Sequence, residues 1–171
     1  MVEVEPEFEK VETLAVTGPR RLQSRDTLKV QQTAVKILRK TRIRRVFLGG
    51  ATGLDTVLLI VLRQFRDRTN KSFLPRLVVV VPGYLSDQPP DARDAAEKYA
   101  DSIIELGYRI TAEDGWEAFH IRNRYMIDEA GELLYFNNGS VQSGSRSAFN
   151  YARKIGVPVW EETLHRLSSR S

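Results

Sequence analysis

Ile43-Arg44-Arg45-Val46-Phe47-Leu48-Gly49-Gly50-Ala51-Thr52-Gly53-Leu54-Asp55 is the stretch that decides the fold of this chain. An apolar run of strand character, 43–48, stops at paired glycines. A helical repeat then begins within five residues and runs over 54–70 through Val57, Leu58, Ile60, Val61, Leu62 and Phe65. A strand feeding a helix through a short glycine-rich turn is the opening half of a βαβ unit. The other half follows at 76–81, Arg-Leu-Val-Val-Val-Val, an unbroken apolar run closed by Pro82-Gly83. A run without polar alternation is what a strand covered on both faces requires.

Outward from this unit the same rhythm continues. On the N-terminal side a short apolar run over 12–17 ends at Gly18-Pro19, and an amphipathic helix is expected over 24–40 from Leu28, Val35, Ile37 and Leu38. On the C-terminal side Pro89-Pro90 opens a helix over 91–106 that Gly107 would close, followed by a short strand over 108–111. A helix over 116–130, a strand over 132–136, a helix over 143–155 and a last strand over 157–160 complete the series, with Gly156 before Pro158 as a helix stop. Strands alternating with helices predict a three-layer, Rossmann-like α/β domain, a mostly parallel sheet with helices on both faces. The expected organisation is an acidic flexible arm over 1–12, one domain over 13–162 and a polar tail over 163–171.

Composition narrows the function. The chain has 171 residues, 42% apolar and 28% charged, which is one ordinary globular domain. It has no cysteine and two histidines, His120 and His165, so neither a thiolate metal site, a disulfide framework nor a His-rich metal centre is expected. No segment approaches the ~20 apolar residues of a membrane-spanning helix. Together with an acidic N-terminus these features point to a cytoplasmic protein.

Charge is unevenly placed. The net charge is +4, but residues 1–12 hold five glutamates and one lysine, leaving the remainder near +8. The densest cationic run is Lys36, Arg39, Lys40, Arg42, Arg44 and Arg45. It reads either as a nucleic-acid footprint or as a solvated helix end complementing the C-terminal dipole. No aromatic residue is interleaved with it to stack on bases.

In an open parallel sheet, ligands bind beyond the carboxyl ends of the strands, where strand order reverses. Three loops of unusual composition fall at such ends. Thr17-Gly18-Pro19-Arg20-Arg21 follows the first strand, and Gly49-Gly50-Ala51-Thr52-Gly53 leads to Leu54 and Asp55 after the second. The third runs from Asn137-Asn138-Gly139-Ser140 into Ser143-Gly144-Ser145 before the last long helix. The second loop lets backbone approach a ligand and aims helix amides at it, which suits phosphate, although it is neither a P-loop nor a GxGxxG fingerprint. Asp55 either binds a ribose hydroxyl or complements the helix dipole. Ser143-Gly144-Ser145 either wraps a phosphate or supplies a plain N-cap. Arg20 and Arg122 are candidate phosphate clamps and Asn123 a candidate base or ribose contact. The alternative for Arg122 is a surface pair with Glu117 or Glu129.

At these residues the sequence resembles the SLOG superfamily of Rossmann-like domains, which includes the DNA-processing protein A group and the plant cytokinin-activating phosphoribohydrolases. The matching pieces are 16–20, 49–55, the Arg122-Asn123-Arg124-Tyr125-Met126-Ile127-Asp128 helix, Ser143-Gly144-Ser145 and Ile155-Gly156-Val157-Pro158-Val159. The pattern looks closest to the YpsA-related branch. What the resemblance implies is a pocket for a nucleotide or nucleotide-derived ligand. The phosphoribohydrolase motif ends in a catalytic glutamate, and aligning Gly144-Ser145 with its Gly-Thr puts Ala148 there.

Three functions follow, in order of expectation. The first is a sensor or carrier that binds a nucleotide-derived ligand of the ADP-ribose or dinucleotide class, with no required cofactor and metal dependence left open. The second is a nucleotide N-glycosidase with Asp55 as a weak catalytic candidate. The third is a DNA-binding protein drawing on 36–45. Oligomeric state is left open, with room for a homodimer in the apolar helix over 54–65 and in Trp116 and Phe119.

Overall fold

The computed structural model describes residues 7–70, 74–111 and 115–166. Six strands, β1 (Thr13–Thr17), β2 (Arg45–Leu48), β3 (Arg76–Val81), β4 (Ser102–Glu105), β5 (Glu132–Asn137) and β6 (Val159–Thr163), form one sheet in the order β4-β3-β2-β1-β5-β6. Every pairing is parallel. The connections contain α1 (Thr27–Arg39), α2 (Leu54–Asp67), α3 (Pro90–Tyr99), α4 (Gly115–Asp128) and α5 (Gly144–Ile155). The domain is a doubly wound, three-layer Rossmann-like fold.

The period of two along each strand divides the core. Leu14, Val16, Val46, Leu48, Leu77, Val79 and Val81 face α1, α2 and α3. Ala15, Phe47, Val78, Val80 and Leu133 face α4 and α5. Three helices on one face and two on the other follow from right-handed crossovers: the chain winds outward through β2, β3 and β4, then returns past β1 to β5 and β6. Each fully buried Leu, Val or Phe in these layers contributes about 1.5–3 kcal/mol. The sheet order reverses between β1 and β5.

Three expectations are corrected here. The helix after Pro89-Pro90 ends at Tyr99, and β4 occupies Ser102–Glu105, which periodicity had assigned to the helix. Asp101 makes the break: its carboxylate accepts from the Leu77 N–H at 2.7 Å and from Arg66 Nη2 at 2.9 Å, which draws the chain alongside β3. Residues 108–111 carry no strand; Gly107, at φ +75°, closes the turn that follows β4 instead of capping a helix. Leu28, expected on the buried face of α1, is 63% exposed, and Val30, Thr33 and Ala34 are buried in its place.

The ends of the chain are partly held. The arm expected over 1–12 lies outside the described residues up to 6, while Phe8 lies under the Arg45 guanidinium at 5.2 Å. At the other end β6 extends to Thr163, Leu164 is buried, and His165 donates its backbone N–H to Asp26 at 2.9 Å. Helix α2 packs between α1 and α3, so its apolar stripe is covered within the chain. No helix among the described residues is long and apolar enough to cross a membrane.

Candidate functional site

The loops after β1, β2 and β5 meet above the point where strand order reverses, and between them and α4 lies a cavity of about 340 Å³. That volume is in the lower range of small-molecule sites. Of the residues singled out from sequence, Gly18, Arg20, Gly49, Ala51, Asp55, Arg122, Asn123, Ser143, Gly144 and Ser145 line it. Gly50, Thr52 and Gly53 do not.

Gly53 has a different task. Its φ is +80°, and a Cβ there would stand 2.2 Å from the carbonyl oxygen of Arg20. The next residue, Leu54, donates its N–H to the Pro19 carbonyl at 3.1 Å. Only glycine permits this approach, and the approach fixes the first loop against the start of α2. Gly50 turns toward Val79 and Val81 of β3.

Gly49 accommodates charge. A Cβ at this position would lie 2.8 Å from the Arg122 guanidinium and 2.9 Å from Asp55 Oδ2. Arg122 is 6% exposed and Asp55 8%, so both charges are sequestered, and Arg122 is not the surface residue that a pair with Glu117 or Glu129 calls for. Arg122 donates through Nη1 to the Gly49 carbonyl and through Nε to Asn123 Oδ1 at 2.8 Å. Asp55 Oδ2 accepts from the Ala51 N–H at 3.3 Å, whereas Oδ1 has no hydrogen-bond partner. Burial pushes the Asp55 carboxyl up against the pull of Arg122, of the Ala51 and Gly49 amides and of Arg20. Burial also presses the Arg122 guanidinium down, against the pull of Asp55.

Arg20 reaches the same place from the first loop. Its guanidinium sits 4.5 Å above the Phe119 ring, and that of Arg122 sits 5.4 Å from the same ring. Two guanidiniums therefore flank one aromatic ring, with Asp55 as the one carboxylate lining the cavity among the described residues. The wall carries an excess of positive charge, a condition for holding an anion.

The far wall is the start of α5. Ser143 Oγ accepts from the Arg146 N–H at 3.1 Å as the N-cap and lies 3.1 Å from Ser145 Oγ. Asn123 Nδ2 donates to the Gly144 carbonyl at 3.5 Å, joining α4 to this turn. His120 Nδ1 lies 3.2 Å from Ser147 Oγ, and its ring packs edge-on against Trp116 at 4.8 Å. Burial, then the nearby Arg124 charge, hold the His120 imidazole below its ordinary pKa, which favours its neutral form. Read from sequence, His120 is a packing or hydrogen-bonding residue and not a catalytic base, and Gln142 and the ring face of Phe119 are left out. The spacing 116, 119, 120, 123 along one face of α4 is the signal that marks them.

The cationic run is mostly occupied. Arg45 is 9% exposed, bonded to Thr13 Oγ1 at 3.1 Å and stacked 4.5 Å over Phe47, which corrects its place in a surface footprint. Lys36 pairs with Glu162 at 2.9 Å, Arg42 with Glu132 at 2.7 Å, and Lys40 lies over Trp160 at 4.7 Å. These cations close the helical layer onto β5 and β6.

No protein-family model matches the chain, and no curated protein matches it. Among solved structures it is similar to DNA processing protein A from Helicobacter pylori, described for its single-stranded DNA binding mode. The superposition has a TM-score of 0.65 at 20% identity and covers 95% of this chain and 69% of that one. At that identity the likeness establishes a shared fold.

Proposed function

We propose that this protein binds a nucleotide or nucleotide-derived ligand in the cavity above β1 and β5, as a sensor or carrier of the SLOG type, YpsA-related branch. The carrying observation is the Arg20–Phe119–Arg122 arrangement, which offers two cations and an aromatic face beside the amides that open α5. Phosphate sits between Arg20 and the Ser143–Ser145 turn, and the sugar or base sits toward Asn123. Among the described residues the cavity wall supplies Asp55 without a second carboxylate, whereas glycoside cleavage works through a carboxylate pair. Binding without base release is the reading this favours.

Isothermal titration with AMP, ADP-ribose and NAD, followed by mass spectrometry of each mixture, tests it. Arg20→Ala weakens binding about tenfold, the worth of one charge-assisted contact. Titration without heat for any of the three ligands would overturn the proposal. Free base in the mixture, lost in Asp55→Asn, would turn it into the N-glycosidase.

A second reading rests on the fold shared with the Helicobacter pylori protein. Trp116 is 58% exposed at the mouth of the same cavity beside Arg20 and Arg21, a stacking surface next to cations. Under this reading single-stranded DNA crosses the mouth, and Arg20→Ala with Arg21→Ala flattens the salt dependence of its affinity. Charge removal over 36–42 leaves that dependence unchanged.

A further inference from the structure

A second cavity, of about 310 Å³, lies in the groove between α4 and α5. His120 and Asn123 line both cavities, so the two meet at these side chains. The groove is built from one stripe of each helix: His120, Asn123, Arg124 and Ile127 on α4, and Ser147, Ala148, Tyr151 and Lys154 on α5. Two helices packed for stability alone close this seam with apolar side chains. Here Ile127 and Ala148 are buried beneath it, and above them the walls are polar. Arg124 and Lys154 are exposed at the rim. Asp128, one turn after Arg124, accepts from the Tyr151 hydroxyl at 2.6 Å, and the Arg124 guanidinium lies 5.4 Å from the Tyr151 ring. Among the described residues the groove is lined by two cations and no carboxylate, so like the first cavity it carries an excess of positive charge. The two cavities are also of similar volume, about 340 and 310 Å³.

We infer that the ligand is two nucleotide units in one covalent molecule, the first in the Arg20–Arg122 cavity and the second in the α4–α5 groove, with the phosphate that joins them reaching Arg124 and Lys154. This rests on the nucleotide reading above and deepens it. Asn123 and His120 form the waist over which the linkage passes. His120 already hydrogen-bonds Ser147 Oγ through Nδ1 at 3.2 Å, and its ring meets the linkage as a hydrogen-bonding group.

Titrations of the four ribonucleoside 5′-monophosphates and the corresponding 5′-phosphorylated homodinucleotides test this. At least one dinucleotide binds about tenfold tighter than its mononucleotide, as one added charge-assisted contact requires. Arg124→Ala and Lys154→Ala, at exposed positions, remove that advantage and leave mononucleotide affinity unchanged; Arg20→Ala weakens both. Equal affinities for the two lengths, or a dinucleotide advantage that survives both rim substitutions, would overturn this inference alone. Binding of neither length would overturn the nucleotide reading and this one with it. A ten-residue homopolymer that binds tighter than the dinucleotide identifies the two units as part of a strand; equal binding identifies a free dinucleotide.

Discussion

Arg122 and Asp55 share one buried space beside Gly49, an arginine from α4 against a carboxylate from the first turn of α2. The two side chains come from elements on opposite faces of the sheet and approach each other at its carboxyl edge. The charge of each is the largest single counterweight to the other's burial. Arg122→Met is expected to destabilise the fold by about 3–5 kcal/mol, because it removes the bonds to the Gly49 carbonyl and Asn123 and leaves Asp55 buried without its main compensating charge. Combining it with Asp55→Asn recovers a substantial part of that loss. Urea unfolding of the two single variants and the double variant measures the coupling. Additive losses would show that the two charges do not depend on each other.

Gly53 separates loop placement from ligand contact. Any side chain there meets the Arg20 carbonyl at a backbone φ of +80°, so Gly53→Val is expected to cost about 1–3 kcal/mol and to displace Arg20. Gly144 lines the cavity too, but a Cβ added to it would meet nothing within 4 Å, and its φ is not positive. Gly144→Ala therefore leaves stability within about 0.5 kcal/mol of the parent, as a strain-free surface change does. Thermal unfolding and AMP titration of the two variants check the contrast: the first loses stability and binding together, the second keeps its fold.

Much of this architecture was legible in the sequence because it rests on local patterns. The unbroken apolar run of β3 and the glycine turn before α2 each announce a covered strand and a crossover. β4 was not legible. Its residues follow a helix without a glycine or proline between them, and the break depends on Asp101 reaching the Leu77 amide across the sheet. A tertiary hydrogen bond of that kind leaves no period in the sequence. The site divides the same way. The glycine and serine loops were visible as composition, but the burial of Arg122 and Arg45 was not, since an arginine is ordinarily a surface residue. What buries them is room supplied elsewhere: the missing side chain of Gly49 for one, the Phe8 and Phe47 rings for the other.

Acid sensitivity should trace to the residue that sets β4. Burial raises the Asp101 carboxyl, but the Arg66 guanidinium, the Leu77 N–H and Arg63 outweigh it and hold the group below its ordinary value. A carboxyl with a depressed folded-state pKa binds fewer protons folded than unfolded. Its contribution is therefore complete above its unfolded pKa of about 4 and is lost as pH falls below that value. Asp101→Asn is expected to lower stability at pH 7 and to flatten the decline as pH falls below about 4. Urea midpoints across that range, compared with the parent, measure it. Parallel declines in the two proteins would assign the acid transition to other carboxylates.

The occupied cations lead to the last prediction. Arg45 bonds Thr13 inside the sheet and stacks between Phe8 and Phe47, so its charge is part of the packing at the start of β2. Arg42 bonds Glu132 from an exposed position. Arg45→Ala removes a buried hydrogen bond and two ring contacts and is expected to cost about 2–4 kcal/mol. Arg42→Ala removes a surface ion pair worth at most about 1 kcal/mol. If this face were instead a polyanion footprint, the two substitutions would weaken single-stranded DNA binding alike and reduce its salt dependence by similar steps. Unfolding curves with binding isotherms at two salt concentrations separate the cases. A large stability loss for Arg45→Ala, with unchanged salt dependence for both, identifies the run as the brace between the helical layer and the sheet. Equal stabilities with a shared drop in salt dependence would make it a nucleic-acid surface.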